Sequence, residues 1–252
     1  MKIKLLAAMG ALLFAASSVV AQTPGTLGTL EFQKPKNGMV KQYEDGRKQK
    51  AAWHKQQNDS QPLMVWETLT GDNTGVYLVG RFGQHWADLD KPSVPDQADI
   101  DEYNKVIGNY VESLTTRYYN YLPKISNPTS SPTPSKFAEI LTFHVRYGKA
   151  SEFRNAINRV DDAIQKTKWP LKHEWYELVS GGATGTFVLV LPHDNYADFA
   201  DNPNVKPFRD MLKEGLGQAE ADSIINEFDS SVQNETSEII QFRPDLSYLP
   251  TK

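Results

Sequence analysis

The sequence has no cysteine. That excludes a disulfide framework, a thiolate metal site, a thiol nucleophile and a lipid-attachment cysteine. Its longest apolar run, Leu5 to Ala16, falls short of the ~20 residues that a membrane-spanning helix needs. The five histidines, His54, His85, His144, His173 and His193, show no H-E-x-x-H or comparable spacing, so neither a metal site nor another cofactor is expected. There is no G-x-x-x-x-G-K-S/T phosphate loop, and no serine stands in a nucleophile-elbow context. Nor is there an excess of positive charge. Lys and Arg number 27 against 31 Asp and Glu, for a net charge of −4, so nucleic acid and anionic membranes are not expected partners.

What is present begins with an export signal. Lys2 and Lys4 precede the short apolar run, and Val19 and Ala21 place small residues at the −3 and −1 positions. This pattern predicts a signal peptide over residues 1–21, cleavage before Gln22, and a periplasmic or extracellular mature chain without a membrane anchor. The 231 mature residues would carry a net charge of −6, since two lysines leave with the signal.

The mature chain contains one pattern twice. Pro62 to Leu89 reads PLMVWETLTGDNTGVYLVGRFGQHWADL, and 110 residues later Lys172 to Phe199 reads KHEWYELVSGGATGTFVLVLPHDNYADF. Glu67 falls on Glu177, Gly71 on Gly181, Gly75 on Gly185 and Asp88 on Asp198. Each copy is two β-rich runs joined by a short Gly-containing turn, which is an antiparallel hairpin. In the second copy, Glu139 to Tyr147 alternates as a strand. Phe153, Ile157, Val160 and Ile164 then recur at helical spacing over Lys149 to Lys168. A helix around Ala221 to Val232 and a strand over Glu238 to Arg243 complete the order β-α-β-β-α-β. The first copy repeats it with a more polar first helix, in which Arg47 and Lys50 stand where Ile157 and Val160 stand. Its second helix is expected over Asp96 to Leu114 and its last strand over Arg117 to Leu122, where the shift becomes 121.

The expected organisation is therefore a mobile tail over 22–29, a first repeat over 30–126, a Pro/Ser/Thr linker over 127–136 and a second repeat over 137–252. The fold class is α+β, with two ferredoxin-like repeats packed sheet to sheet, since each repeat would otherwise leave one sheet face bare. Barrel edges also allow self-association into a homo-oligomer.

The tandem order, with W/Y-E, G-x-x-T/A-G and W/Y-A-D at these spacings, resembles the dimeric α/β-barrel superfamily. It is most similar to its NIPSNAP and antibiotic-biosynthesis-monooxygenase-like branch, in a fused form found in secreted bacterial proteins of unknown function. The resemblance implies two four-stranded sheets closing a barrel with helices outside. Members range from cofactor-free oxygenases and isomerases to haem proteins, so the fold transfers better than the function.

The candidate site follows from alternation. Leu141, Phe143, Val145 and Tyr147 form one apolar face of a strand, which suits the helix stripe. Thr142, His144 and Arg146 then point between the sheets. Glu67 and Glu177 stand among apolar strand residues, where a carboxylate needs a partner. These residues predict a polar-centred cleft of His144, Arg146, Glu177 and Glu67, rimmed by Trp175, Tyr119 and Tyr121, with His144 as the candidate general base. The expected ligand is a small, largely apolar molecule, with cofactor-free oxygenase or isomerase-type chemistry open. The alternatives are a non-enzymatic interaction module with a filled barrel, and a haem protein.

Overall fold

The structure is a computed structural model that describes residues 25–250 except Pro132 and Asp201. The expected signal peptide lies outside the described residues. Eight antiparallel strands form one closed barrel, with five α-helices against its outer surface. The strands are β1 (Leu27–Pro35), β2 (Met64–Thr68), β3 (Tyr77–Gln84), β4 (Val111–Tyr121), β5 (Phe137–Val145), β6 (Glu174–Ser180), β7 (Thr186–His193) and β8 (Val232–Phe242). The helices are α1 (Val40–Gln56), α2 (Asp96–Val106), α3 (Ala150–Thr167), α4 (Phe208–Leu216) and α5 (Gln218–Ser231).

Around the barrel the strand order is β1-β3-β2-β8-β5-β7-β6-β4. Each half orders its four strands alike, and the halves join at two seams. At one seam Trp66–Thr68 pair with Ile240–Phe242, and at the other Tyr118–Tyr121 pair with Tyr176–Ser180. Closure leaves no open sheet edge in the barrel, which removes the edge pairing expected for self-association. Because every neighbour is antiparallel, both hairpins, β2–β3 and β6–β7, turn at one end of the barrel. The linker from β4 to β5 runs at the other end.

The register of the two halves agrees with the sequence repeat. β5 begins 110 residues after β1, and α3 begins 110 after α1. Gly38 and Gly148 occupy the same strand-to-helix turn with φ of 76° and 80°, a conformation glycine adopts without a Cβ penalty.

Several boundaries differ from expectation. Leu27 to Thr29, read as tail, begin β1, with Leu27 buried against the barrel. α2 ends at Val106 rather than Leu114, since Gly108 and Asn109 break it into a short 3-10 turn. Val111 to Leu114 are then drawn into β4 by pairing with Gln33–Pro35 of β1. β8 likewise starts six residues before Glu238. Tyr147 falls beyond the end of β5 and is fully exposed (103%), so it takes no part in the apolar face.

In the second half the helix layer is apolar. Phe143 and Val145 of β5, Phe153 and Ile157 of α3, Trp175 and Phe187 form one buried cluster. Val160 and Ile164 pack against Met211 and Leu212 of α4, the helix that the first half lacks. Fully burying each such side chain contributes ~1.5–3 kcal/mol.

Candidate functional site

The barrel is not filled. Its interior holds a cavity of about 890 Å³. The residues that alternate inward build it. Leu30 and Phe32 of β1, Trp66 of β2, Phe82 of β3 and Ile140 of β5 give it an apolar wall. Pro128, Thr129, Ser131, Thr133, Pro134 and Ser135 of the linker line it from the end opposite the hairpin tips.

Polar groups share the lining with these apolar ones. Arg117 and Tyr119 come from β4, Thr142 and His144 from β5, Glu174 and Tyr176 from β6, and Glu238 from β8. Most are engaged with each other or with the rim. The Tyr176 hydroxyl donates to Glu174 at 2.7 Å, and the Asn73 side-chain amide donates to Glu238 at 2.6 Å. Arg117 is different. Its guanidinium lies over the Phe32 ring, 4.3 Å from the centroid, is directed at the Tyr119 hydroxyl and forms no ion pair with a described residue, while its Nε is buried without a hydrogen-bond partner. Burial pushes the Tyr119 phenol up, against the opposing pull of Arg117. Burial and then the Glu174 carboxylate push Tyr176 well above the usual phenol range. Both hydroxyls therefore remain protonated donors at neutral pH.

His144 has a defined tautomer. The Thr186 hydroxyl donates to the carbonyl of Ala183 at 2.7 Å, so toward His144 Nδ1, 3.1 Å away, it can only accept. Nδ1 of His144 thus carries the proton, and Nε2 of the neutral ring is the basic nitrogen. A ring whose orientation and tautomer are held by a neighbour is the form in which histidine takes up a proton.

Of the expected cleft, the structure brings His144 and Tyr119 to the cavity, and Tyr121 stacks on the lining residue Tyr176 with centroids 5.3 Å apart. The other four lie elsewhere. Arg146 is just past the end of β5, exposed, and donates to the Ser230 carbonyl at 2.8 Å at the C-terminus of α5. Its alternation stops counting where the strand stops. Glu67 and Glu177 point to the helix side. Arg243 holds Glu67 at 2.8 Å and also Glu44, and Arg154 of α3 holds Glu177. Trp175 is buried on that side against Phe143 and Phe153. A strand face that looked apolar in sequence was the helix face, and arginines from other elements supply the partners the carboxylates need. Asp88 and Asp198 lie inside 3-10 turns, Trp86–Asp88 and Tyr196–Phe199, and complete their capping boxes by accepting from the N–H groups of His85 and Asn195 at 2.7 and 3.1 Å.

Arg117 was missed, although its signal was present. It stands two residues before Tyr119 on the same strand, hence on the same face.

A haem does not suit these residues. On the helix side of the second half the space is taken by Phe153, Phe187 and Trp175, and α3 and α5 carry no histidine. His173 is buried, with Nε2 3.0 Å from the Ile125 carbonyl. The cavity offers one imidazole and one guanidinium beside Asp72, Glu174 and Glu238, a charge set unsuited to a macrocycle bearing two propionates.

The fold is shared with solved structures of very different sequence. A putative monooxygenase from Fusobacterium nucleatum subsp. nucleatum matches with a TM-score of 0.55 at 13% identity, over 88% of this chain and 94% of that one. An anthrone oxidase-like protein matches at 0.51 and 12% identity, over 88% and 92%. A chlorite dismutase variant from Candidatus Nitrospira defluvii matches at 0.51 and 13% identity, over 89% and 94%. No family model and no curated protein matches the sequence. The chain thus has a dimeric α/β-barrel type of fold, which accommodates more than one function. No helix among the described residues is long and apolar enough to cross a membrane.

Proposed function

We propose that this chain is an exported protein of two fused ferredoxin-like repeats, in the NIPSNAP and antibiotic-biosynthesis-monooxygenase-like branch of its fold. In this reading it binds a small, largely apolar molecule inside the barrel. The observation that carries the proposal is the 890 Å³ interior cavity, apolar over part of its wall, with the Arg117 guanidinium, which forms no ion pair with a described residue, and a basic nitrogen at His144. An interaction module with a packed barrel would leave no such space.

The arrangement suits a ketone whose acidic C–H is conjugated with its carbonyl across a ring. His144 Nε2 accepts the proton, and Arg117 with the Tyr119 hydroxyl stabilises the oxyanion that forms. Such proton abstraction opens both cofactor-free isomerisation and cofactor-free reaction with dioxygen. Anthrone, an apolar tricyclic ketone of this kind, is the probe. The mature protein should quench on binding it, through Trp66, and accelerate its loss in air. His144→Ala should lower the rate ~10²-fold or more with the circular dichroism spectrum unchanged. Arg117→Met should weaken binding by at least ~10-fold, the loss of one charge-assisted contact. An unchanged rate in His144→Ala would sink the catalytic reading, and absence of quenching would sink the barrel as a site for this ligand class.

A further inference from the structure

A second cavity, of about 250 Å³, lies on the other face of the same sheet, between β1, β3, α1 and α2. Thr29 and Glu31 of β1 line it, whereas Leu30 and Phe32 line the barrel. The two spaces are therefore separated by one layer of backbone.

Its wall is built from α1. Arg47, Lys50 and His54 recur at helical spacing and are all buried, at 2%, 2% and 0% exposure. The equivalent positions 110 residues on are Ile157, Val160 and Ile164. Three ionisable side chains thus occupy a layer that the other half of the molecule makes apolar.

Most of their charge is matched. Lys50 Nζ lies 2.9 Å from Asp99 Oδ1 and donates to the Asp99 carbonyl at 2.6 Å. Arg81 pairs with Asp59 at 3.1 Å. The ring nitrogens of His54 stand 2.9 and 3.3 Å from Asp59 and Asp99, off the line of a hydrogen bond. Burial, helped by Arg81 and Lys50, pushes His54 down to about 4, so it is neutral at pH 7. Two charged groups are left. Glu31 accepts from the Gln33 amide at 2.6 Å but enters no ion pair with a described residue. Arg47 makes no hydrogen bond and no ion pair to any described residue. Tyr103 is also in the wall, and burial and then the Glu31 charge raise its pKa.

A buried guanidinium that forms no ion pair, next to a cavity, is a site for an anion. The volume corresponds to roughly eight waters at ~30 Å³ each, enough for a ligand of a few heavy atoms. Leu63 and Val79 give it a short apolar side. We infer that this pocket binds a small free carboxylate, the size of propionate or alanine, whose carboxylate supplies the counter-charge for Arg47. An ammonium on the same molecule would in turn meet Glu31.

The test is thermal unfolding of the mature protein in sodium propionate, L-alanine or sodium chloride at matched ionic strength. The midpoint should rise saturably with propionate or alanine beyond the chloride control. A larger response to alanine assigns the ammonium to Glu31, and an equal or larger response to propionate assigns a simple acid. Arg47→Met should abolish the response while unfolding at the same or a higher temperature without ligand, because it removes an unpaired charge. Ile100→Trp at the half-exposed mouth should also abolish it, which keeps the inference testable if Arg47→Met does not fold. Arg117→Met, across the sheet, should leave the response intact. No response beyond chloride, or an undiminished response in Arg47→Met or Ile100→Trp, overturns the inference. So does loss of the response in Arg117→Met alone, which would place the carboxylate in the barrel.

Discussion

The two halves of this barrel share one backbone plan and fill its helix layer with opposite chemistry. Position for position, Gln33, Tyr43, Arg47, Lys50, His54 and Tyr77 in the first half stand where Phe143, Phe153, Ile157, Val160, Ile164 and Phe187 stand in the second. The second half is closed by packing, and its extra helix α4 presses Met211 and Leu212 onto Val160 and Ile164. The first half has no such helix. It adds pairing to a smaller apolar cluster of Val65, Val79, Val106 and Ile107, through Tyr43 to Gln33 at 2.9 Å, Tyr77 to Glu44 at 2.7 Å, Lys50 to Asp99 and Arg81 to Asp59. Apolar packing stabilises without directional demands, whereas a paired layer must satisfy every member. The comparison teaches what polar side chains in a helix layer leave behind: the half with the less apolar layer keeps a cavity of about 250 Å³ there.

The largest effect should come from the packed half. Phe153 is fully buried at the centre of its aromatic cluster, so Phe153→Ala should cost ~3–5 kcal/mol, read by urea unfolding. A loss under ~1 kcal/mol would mean that the packed layer is not what stabilises this half.

The paired half should instead show itself through pH. The unfolded chain takes a proton on His54 near pH 6.5, while the folded chain resists until about 4. Stability should therefore fall as pH drops from 6.5 to 4, by roughly 3 kcal/mol in all, and stay flat above 7. For Asp59, burial pushes the carboxyl up, but hydrogen bonds from Ser93 and the Gln61 N–H and the Arg81 charge outweigh it and hold it below its usual value. Its stabilising contribution is lost only as pH falls below about 4, so the two windows are separable. His54→Gln should flatten the slope between 6.5 and 4; an unchanged slope would assign it to another group.

A smaller effect distinguishes the helix packing. Gly46 of α1 brings the helix backbone against α2, where an added Cβ would lie 2.0 Å from the Val106 carbonyl oxygen. Its counterpart is the buried Ala156. Gly46→Ala should destabilise by ~1–3 kcal/mol although alanine is the better helix former. Ala156→Gly should cost about 1 kcal/mol. Stabilisation by Gly46→Ala would show that α1 and α2 are not so closely apposed.

The repeat was legible because turn glycines and the hairpin spacing are local features, and Gly38 and Gly148 do adopt the same turn. The inward placement of His144 was legible from alternation within β5. The Glu67 and Glu177 strands misled because a helix-facing strand and a cavity-facing strand both read as apolar with one polar interruption. What decides between them is Arg243 or Arg154, distant in sequence for Glu67 and on another element for Glu177. The helix layer of the first half was illegible for the same reason: Lys50 and His54 look like part of a polar helix face until Asp99 and Asp59 are brought over them.

The central claim is that the barrel interior is the ligand site. A crystal structure of the protein with anthrone bound tests it most directly. The account predicts tricyclic density inside the barrel, its oxygen against Arg117 and the Tyr119 hydroxyl, and its acidic carbon within ~3.5 Å of His144 Nε2. Density confined to the helix layer or the outer surface, with only ordered water inside the barrel, would contradict it.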